Sequence, residues 1–276
     1  MGIRYLLAVA MFVDSHCHID FPELAARLPE ILHTMQTNQV SEALCVSVTL
    51  QEFPRVLALA ETHPNIYASV GVHPDYEDTE EPTVDGLLKL AVHPRIVAIG
   101  ETGLDYYRLQ GDLAWQRERF RVHIRASRES RKPLIIHTRS ASADTLRLMR
   151  DEKAGTDVGG AGGVMHCFTE SLEVAEAAMA MGFYISFSGI VTFKNAKELQ
   201  AVARAVPLER MLIETDSPYL APVPKRGKTN EPGFVRHVAE FLAELKEVPL
   251  ATLAEATTRN FRNLFGIPAP DSAPSA

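Results

Sequence analysis

Eight short runs rich in β-branched and apolar residues punctuate the sequence: MFVDSHCH (11–18), EALCVSV (42–48), IYASVGVH (66–73), IVAIGETG (96–103), PLIIHTR (133–139), GVMHCF (163–168), FYISFSG (183–189) and MLIETDS (211–217). Stretches with helical periodicity lie between them, among them FPELAARLPEILHTMQ, FPRVLALAETH, LAWQRERFRVHIRASRES, LEVAEAAMAMG and NAKELQAVARAV. Strands that alternate with helices imply a parallel sheet covered by those helices. Eight such units in 276 residues is the number that closes a TIM (β/α)8 barrel. FVRHVAEFLAELKE and ATLAEATTRNFRNLF complete the outer ring. The expected organisation is a dispensable N-terminal extension over 1–10, one barrel domain over 11–266 and a flexible Pro/Ala/Ser-rich tail over 267–276. MGIRYLLAVAMFV looks like a short signal peptide but has no small-residue cleavage site and runs straight into the first strand. No stretch approaches the roughly 20 apolar residues of a membrane span.

A barrel gives the strand ends a common destination, because sites in this fold sit where strands finish and βα loops begin. Residues two apart share a face of a strand. In FVDSHCHID, His16 and His18 therefore point one way with Asp14 below them, and Cys17 points the other. The fourth run ends in Gly-Glu101-Thr-Gly, the fifth in His137, the sixth in His166 and the eighth in Glu214-Thr-Asp216. Four histidines and up to three carboxylates thus face one mouth. Neutral imidazole and carboxylate are natural ligands for zinc, manganese or magnesium ions. Six ligands are too many for one open catalytic ion; they suit two ions, about 3.5–4 Å apart, that share a bridging carboxylate. The other histidines provide a control. His63 and His93 precede Pro at helix ends on the opposite face, where a helix C-terminus favours a cation, and His33, His123 and His237 lie inside helix patterns. None of these five is expected to take part in chemistry. His73, in VGVHPD, joins the strand-end class as a ligand, a phosphate contact or a donor behind the ligands.

Other residues point to an anionic substrate. Arg139 has the parity of His137 and would face the mouth, where a guanidinium can clamp phosphate bidentately. Glu214 shares a face with Asp216 and would orient a ligand or water, or hold a third ion. The loop YLAPVPKRGKTNEPGF carries Lys225, Arg226 and Lys228, and Asn230 before Glu231-Pro232 reads as a helix N-cap. Helix N-termini attract anions, so Asn230 counts as a substrate contact. With 28 Lys+Arg against 35 Asp+Glu, the net charge of −7 excludes a general nucleic-acid coat; a polyanion would be gripped locally. GTDVGGAGG (155–163) lacks the phosphate-loop pattern and reads as a flexible linker. The basic helix RERFRVHIRASRESRK reads as a solvated outer face. Three scattered cysteines with no CxxC pair argue against a disulfide framework and for a reducing, cytoplasmic setting.

Taken together, DSHCHID, GVHP, AIGETGLDYY, PLIIHTR, MHCF, LIETDSPYL and RGKTNEP, in that order, resemble the TatD family of metal-dependent deoxyribonucleases within the amidohydrolase superfamily. The resemblance runs from about Met11 to Phe265. It implies a TIM barrel with a dinuclear site. His16, His18 and Asp216 would hold one ion, His137 and His166 the other, and Glu101 would bridge them. The block RGKTNEP departs from the pattern at Thr229, where a basic residue is expected, which weakens a phosphate role for that loop. The implied cofactors are two divalent ions, Mg2+ or Mn2+ in function, with Zn2+ as the alternative. The implied activity is 3′–5′ exonucleolytic hydrolysis of single-stranded DNA or another phosphodiester, with Glu101 and Asp216 as the catalytic carboxylates. No membrane and no obligate protein partner is expected. The alternatives are an amidohydrolase-type esterase or amidase, such as an aminoacyl-tRNA deacylase, and a non-catalytic scaffold. A scaffold would have lost ligands, and none is lost.

Overall fold

The computed structural model describes residues 11–269; the extension expected over 1–10 and residues 270–276 of the expected tail lie outside them. Eight strands follow one another among the described residues: β1 Phe12–Cys17, β2 Val40–Cys45, β3 Ile66–Val70, β4 Ile96–Asp105, β5 Leu134–Arg139, β6 Gly163–Met165, β7 Tyr184–Phe187 and β8 Met211–Ile213. Each pairs in parallel with the next, in the order 1 to 8. The seam is closed just beyond β8. There Cys17 and Ser217 form a parallel bridge, and the Asp216 and His18 N–H groups donate to the His16 and Ser217 carbonyls at 2.9 Å. The fold is the TIM barrel that the alternation of patterns predicts.

Among the described residues, ten helices surround it: α1 Pro22–Ala25, α2 Leu28–Thr37, α3 Phe53–Thr62, α4 Val84–Ala91, α5 Ala114–Ser130, α6 Ser142–Asp151, α7 Leu172–Ala180, α8 Lys197–Ala205, α9 Val235–Leu245 and α10 Leu250–Phe265. The single helix expected over FPELAARLPEILHTMQ is two helices. Pro29 has no N–H to give the Ala25 carbonyl and its ring would crowd that oxygen, so α1 stops at Ala25 and α2 restarts with Pro29 in its first turn.

Every strand contributes to an inner cluster, with Val13, Leu44, Tyr67, Val97, Ile135, Val164, Tyr184 and Leu212 among its members. Phe261 and Phe265 of α10, with Ile267 behind them, complete that cluster and plug the N-terminal end of the barrel. Ile267, the first residue of the expected tail, is buried here, held by a bond from its N–H to the Arg262 carbonyl. The alternate strand residues, such as Ala43, Cys45, Ile66, Ala68, Leu134 and Ile136, pack outward against the helices. Residues 155–163 are a packed turn rather than the flexible linker expected. Thr156–Val158 forms a 3-10 turn, and a Cβ at Gly163 would overlap the Leu134 carbonyl oxygen, so glycine is required there by close approach of β5.

Candidate metal centre

Inner positions one step above the apolar cluster carry polar side chains. His137 stands two residues beyond Ile135, His166 two beyond Val164 and Glu214 two beyond Leu212, as strand alternation dictates. β1 reaches the same result differently. Its register shifts between Asp14 and Cys17, so Val13 faces the barrel interior while Cys17, four residues on, faces the helices. The shift turns His16 and His18 inward together, with their Nε2 atoms 3.2 Å apart. Asp14 does not share their face: it accepts bonds from the Thr215 N–H at 2.8 Å and the Thr215 hydroxyl at 2.5 Å. The His18 Nδ1–H donates to the Val46 carbonyl at 3.0 Å, which leaves the Nε2 lone pair directed at the centre.

Glu101 lies in the middle, and its two oxygens face two different groups. Oε2 is 3.2 Å from His16 Nε2 and 3.8 Å from His18 Nε2. Oε1 is 2.8 Å from His166 Nε2, 3.2 Å from His73 Nε2 and 3.4 Å from His137 Nδ1. Asp216 stands with the first group, its Oδ1 3.5 Å from His18 Nε2 and 3.8 Å from His16 Nε2. The His16 and His166 rings are stacked at 3.9 Å. A cavity of about 560 Å³ opens above, lined among others by His18, His73, Glu101, His137, His166 and Asp216.

The charges in this cluster are strongly interdependent. Burial opposes ionisation of Glu101, but His166, His73 and His16 around it outweigh burial and hold its carboxyl well below the usual range. Burial, together with the neighbouring His166, lowers His16. His166 goes the other way: burial opposes its charge, and Glu101 and Glu214 push it well up. Asp216 is lowered against burial by the bond to His18. Two buried atoms here, His16 Nδ1 and Glu214 Oε2, have no hydrogen-bond partner, and His166 Nε2 faces only the Glu101 carboxylate. An unpaired buried polar atom costs about 1–3 kcal/mol. Packed imidazoles and carboxylates with unsatisfied atoms fit the requirements of divalent cations. Among the described residues, three trios bring possible ligand atoms within 4.8 Å of one another: His16–His18–Glu101, His73–Glu101–His137 and His16–His166–Glu214.

All six sequence-predicted ligands, His16, His18, Glu101, His137, His166 and Asp216, come together, and His73 joins them. The substrate residues divide. Arg139 is exposed at the mouth. Glu214 is fully buried and accepts from the Cys167 N–H at 2.7 Å, with His166 Nδ1 at 3.3 Å; it sits behind the His166 ring and does not line the cavity. Asn230 corrects the expectation. It is fully buried, and its amide donates to the Thr215 and Tyr219 carbonyls, so it pins the loop instead of capping a helix toward a substrate. The loop cations are partly engaged as well, Lys225 over the Phe234 ring and Arg226 over Phe193.

Several contributors escape a motif reading. Asp105 Oδ2 lies 3.0 Å from His137 Nε2. Burial opposes its charge, yet that bond and two backbone N–H donors lower it to about 2. Asp75 pairs with His73 Nδ1 and with Arg108. Burial opposes the His73 charge, but Glu101 and Asp75 together lift it to about 9. The basic helix α5 is not solvated all round. Arg119, 2% exposed, donates to the His73 and Tyr76 carbonyls and pairs with Glu81. His63 and His93 do sit at the opposite face, capping α3 and following α4. The signal that could have found Asp105 is its position, four residues past Glu101 on the same strand.

The family described as TatD related DNase matches residues 13–266. The chain is 48% identical over 260 residues to the metal-dependent hydrolase YcfH of Escherichia coli strain K12, a match covering 93% of this chain and 96% of that one. It is 40% identical over 258 residues to the metal-dependent hydrolase YabD of Bacillus subtilis strain 168, covering 93% and 100%. The crystal structure of YJJV, a TatD homolog from Escherichia coli K12, superposes with a TM-score of 0.85 at 28% identity, covering 94% of this chain and 99% of that one. The barrel, the buried histidine–carboxylate cluster and these likenesses agree, and the chain belongs to the TatD family of metal-dependent hydrolases.

Proposed function

We propose that this protein hydrolyses phosphodiester bonds in single-stranded DNA, removing nucleotides from the 3′ end, at a centre of two divalent cations. The division of the Glu101 oxygens between two ligand groups carries this reading. His16, His18 and Asp216 would hold one ion, His137 and His166 the other, and Glu101 both; Mg2+ or Mn2+ suits the chemistry. Ions held there would supply a nucleophilic water at neutral pH and neutralise charge on the phosphoryl oxygens.

The protein's own groups do the rest. Val46 and Asp105 fix the rings of His18 and His137 through their outward-facing nitrogens. Asp216 has its Oδ1 toward the histidines and is 18% exposed at the mouth, where Oδ2 takes the proton of an attacking water. Arg139 and Arg108 line the cavity and present guanidinium groups to the phosphate. Attack at phosphorus makes one P–O bond and breaks the bond to the 3′-oxygen, which leaves as the shortened strand.

The test is digestion of 3′- and 5′-end-labelled single-stranded DNA with Mg2+, Mn2+ or Zn2+, beside EDTA and a Glu101→Ala variant whose folding is checked by circular dichroism. Metal-dependent shortening from the 3′ end, absent in the folded variant, is the expected result. Inertness of the fully metal-loaded wild type toward DNA would overturn the nuclease reading and turn the search to carboxylic esters and amides.

A further inference from the structure

Among the described residues, seven large hydrophobic side chains are exposed: Met11, Tyr76, Val92, Tyr107, Val158, Tyr219 and Val223. The three aromatic ones are all at the mouth, on the loops after β3, β4 and β8. Two of them, Tyr107 and Tyr219, form surfaces with their neighbours, one beside each group of ligands. On the His137 side, the Arg139 guanidinium lies 4.0 Å from the centre of the Tyr107 ring, and both residues are exposed. On the His18 side, Phe21 stacks on the His18 ring with centroids 4.8 Å apart, and Tyr219 meets Phe21 edge-on at 6.5 Å. Arg108, ion-paired with Asp75, also lines the cavity.

A flat π surface bearing a guanidinium, a second aromatic pair and a further cation suit a ligand with flat rings strung on a charged backbone. Tyr107 is 63% exposed and stands outside the side chains that line the cavity, so a small ester held at the metal centre would not reach it. A strand of several nucleotides would. Its bases must be unpaired and unstacked from one another to offer their faces, and stacking on aromatic rings is tolerant of sequence. The local cations matter the more because the chain as a whole carries −7.

We propose that Tyr107–Arg139 and Phe21–Tyr219 are two base-stacking subsites that hold nucleotides of a single strand on either side of the scissile phosphate. The proposal rests on the nuclease reading for the position of that phosphate. It assigns recognition to ring faces and not to base edges, so substrate choice is by strandedness and not by sequence.

The experiment measures binding by fluorescence anisotropy of a labelled single-stranded DNA 12-mer in calcium buffer, beside an abasic 12-mer of the same length. Tyr107→Ala and Tyr219→Ala are each expected to weaken binding of the base-bearing strand by about tenfold, and Tyr107→Phe and Tyr219→Phe to bind like the wild type. Neither alanine variant should alter binding of the abasic strand. Equal losses on both strands, or alanine variants that bind the base-bearing strand as tightly as the wild type, would overturn the subsites. Hydrolysis is followed in parallel with Mn2+. Tyrosine-dependent binding without hydrolysis defeats the nuclease reading and leaves the subsites; hydrolysis with unchanged KM in the alanine variants does the reverse.

Discussion

Asp14 and His123 are two buried titratable residues that tie down segments next to the centre. Asp14 accepts from the backbone N–H groups of Thr215 and His16, so it ties the strand carrying His16 to the segment between Glu214 and Asp216. Asp14→Ala leaves two buried N–H groups unpaired and is expected to destabilise the fold by about 2–4 kcal/mol. It should also weaken metal binding by roughly tenfold, as loss of a group supporting ligands does; urea unfolding and calorimetric metal titration check the two effects. His123 accepts a bond from the Val72 N–H at Nε2 and donates from Nδ1 to the Arg119 carbonyl. Burial lowers its pKa to about 4. A histidine held neutral in this way contributes stability that is fully present above its ordinary value near 6.5. That contribution is lost as the pH falls toward 4, amounting to about 3 kcal/mol at 1.36 kcal/mol per unit. His123→Gln should therefore flatten the fall in melting temperature between pH 6.5 and 4; a variant that loses stability with acid as steeply as the wild type contradicts this assignment. Candidate ligands such as His137 and His166 are legible in the sequence because histidines are few and these sit at strand ends. Asp105 and the role of Asp14 are not, because they act through partners distant in sequence, and Asp75, two residues from its partner His73, resembles an ordinary loop acid. Asn230 misleads for the converse reason: capping chemistry and burial under a loop look alike in one dimension.

The elements show where pattern reading holds and where it fails. Strict alternation places His137, His166 and Glu214 correctly, since β5, β6 and β8 carry their parity through to the mouth. It fails in β1, where the register shift swaps faces between Val13 and Cys17; a two-residue period cannot anticipate a bulge. α5 fails differently. Its charge density suggests solvent, but Arg119 faces inward because Glu81, 38 residues away, pairs with it. β4 carries its own constraint around Glu101. Gly103 has φ +130 and a Cβ there would overlap the His137 carbonyl oxygen. Gly103→Ala is expected to cost about 3 kcal/mol through strain and overpacking. Because the obstruction falls on the strand that presents His137, metal affinity should drop as well. A variant with wild-type melting and metal binding would show that β4 and β5 can move apart without penalty.

For the whole molecule, the barrel was legible because eight units of like pattern leave few other ways to bury their apolar faces. The closure of the seam through Cys17 and Ser217, beyond the end of β8, was not, since it depends on backbone pairing that no side-chain pattern records. A ligand that binds only the folded state stabilises it, by about 2.7 kcal/mol at a hundred times its Kd. At 2–4 °C per kcal/mol for chains of roughly this size, Mn2+ at that excess should raise the melting temperature by about 5–10 °C over EDTA, and Glu101→Ala should show no such rise. The plug of Phe261, Phe265 and Ile267 has a consequence for traffic. With its floor sealed, the barrel is a cup and not a tube. A polymer enters and leaves by the same rim, and nothing in the barrel itself can thread it. Under the proposed nuclease activity, successive cuts on one strand would proceed without topological capture, and an excess of unlabelled competitor added after the first turnover should halt shortening of the labelled strand.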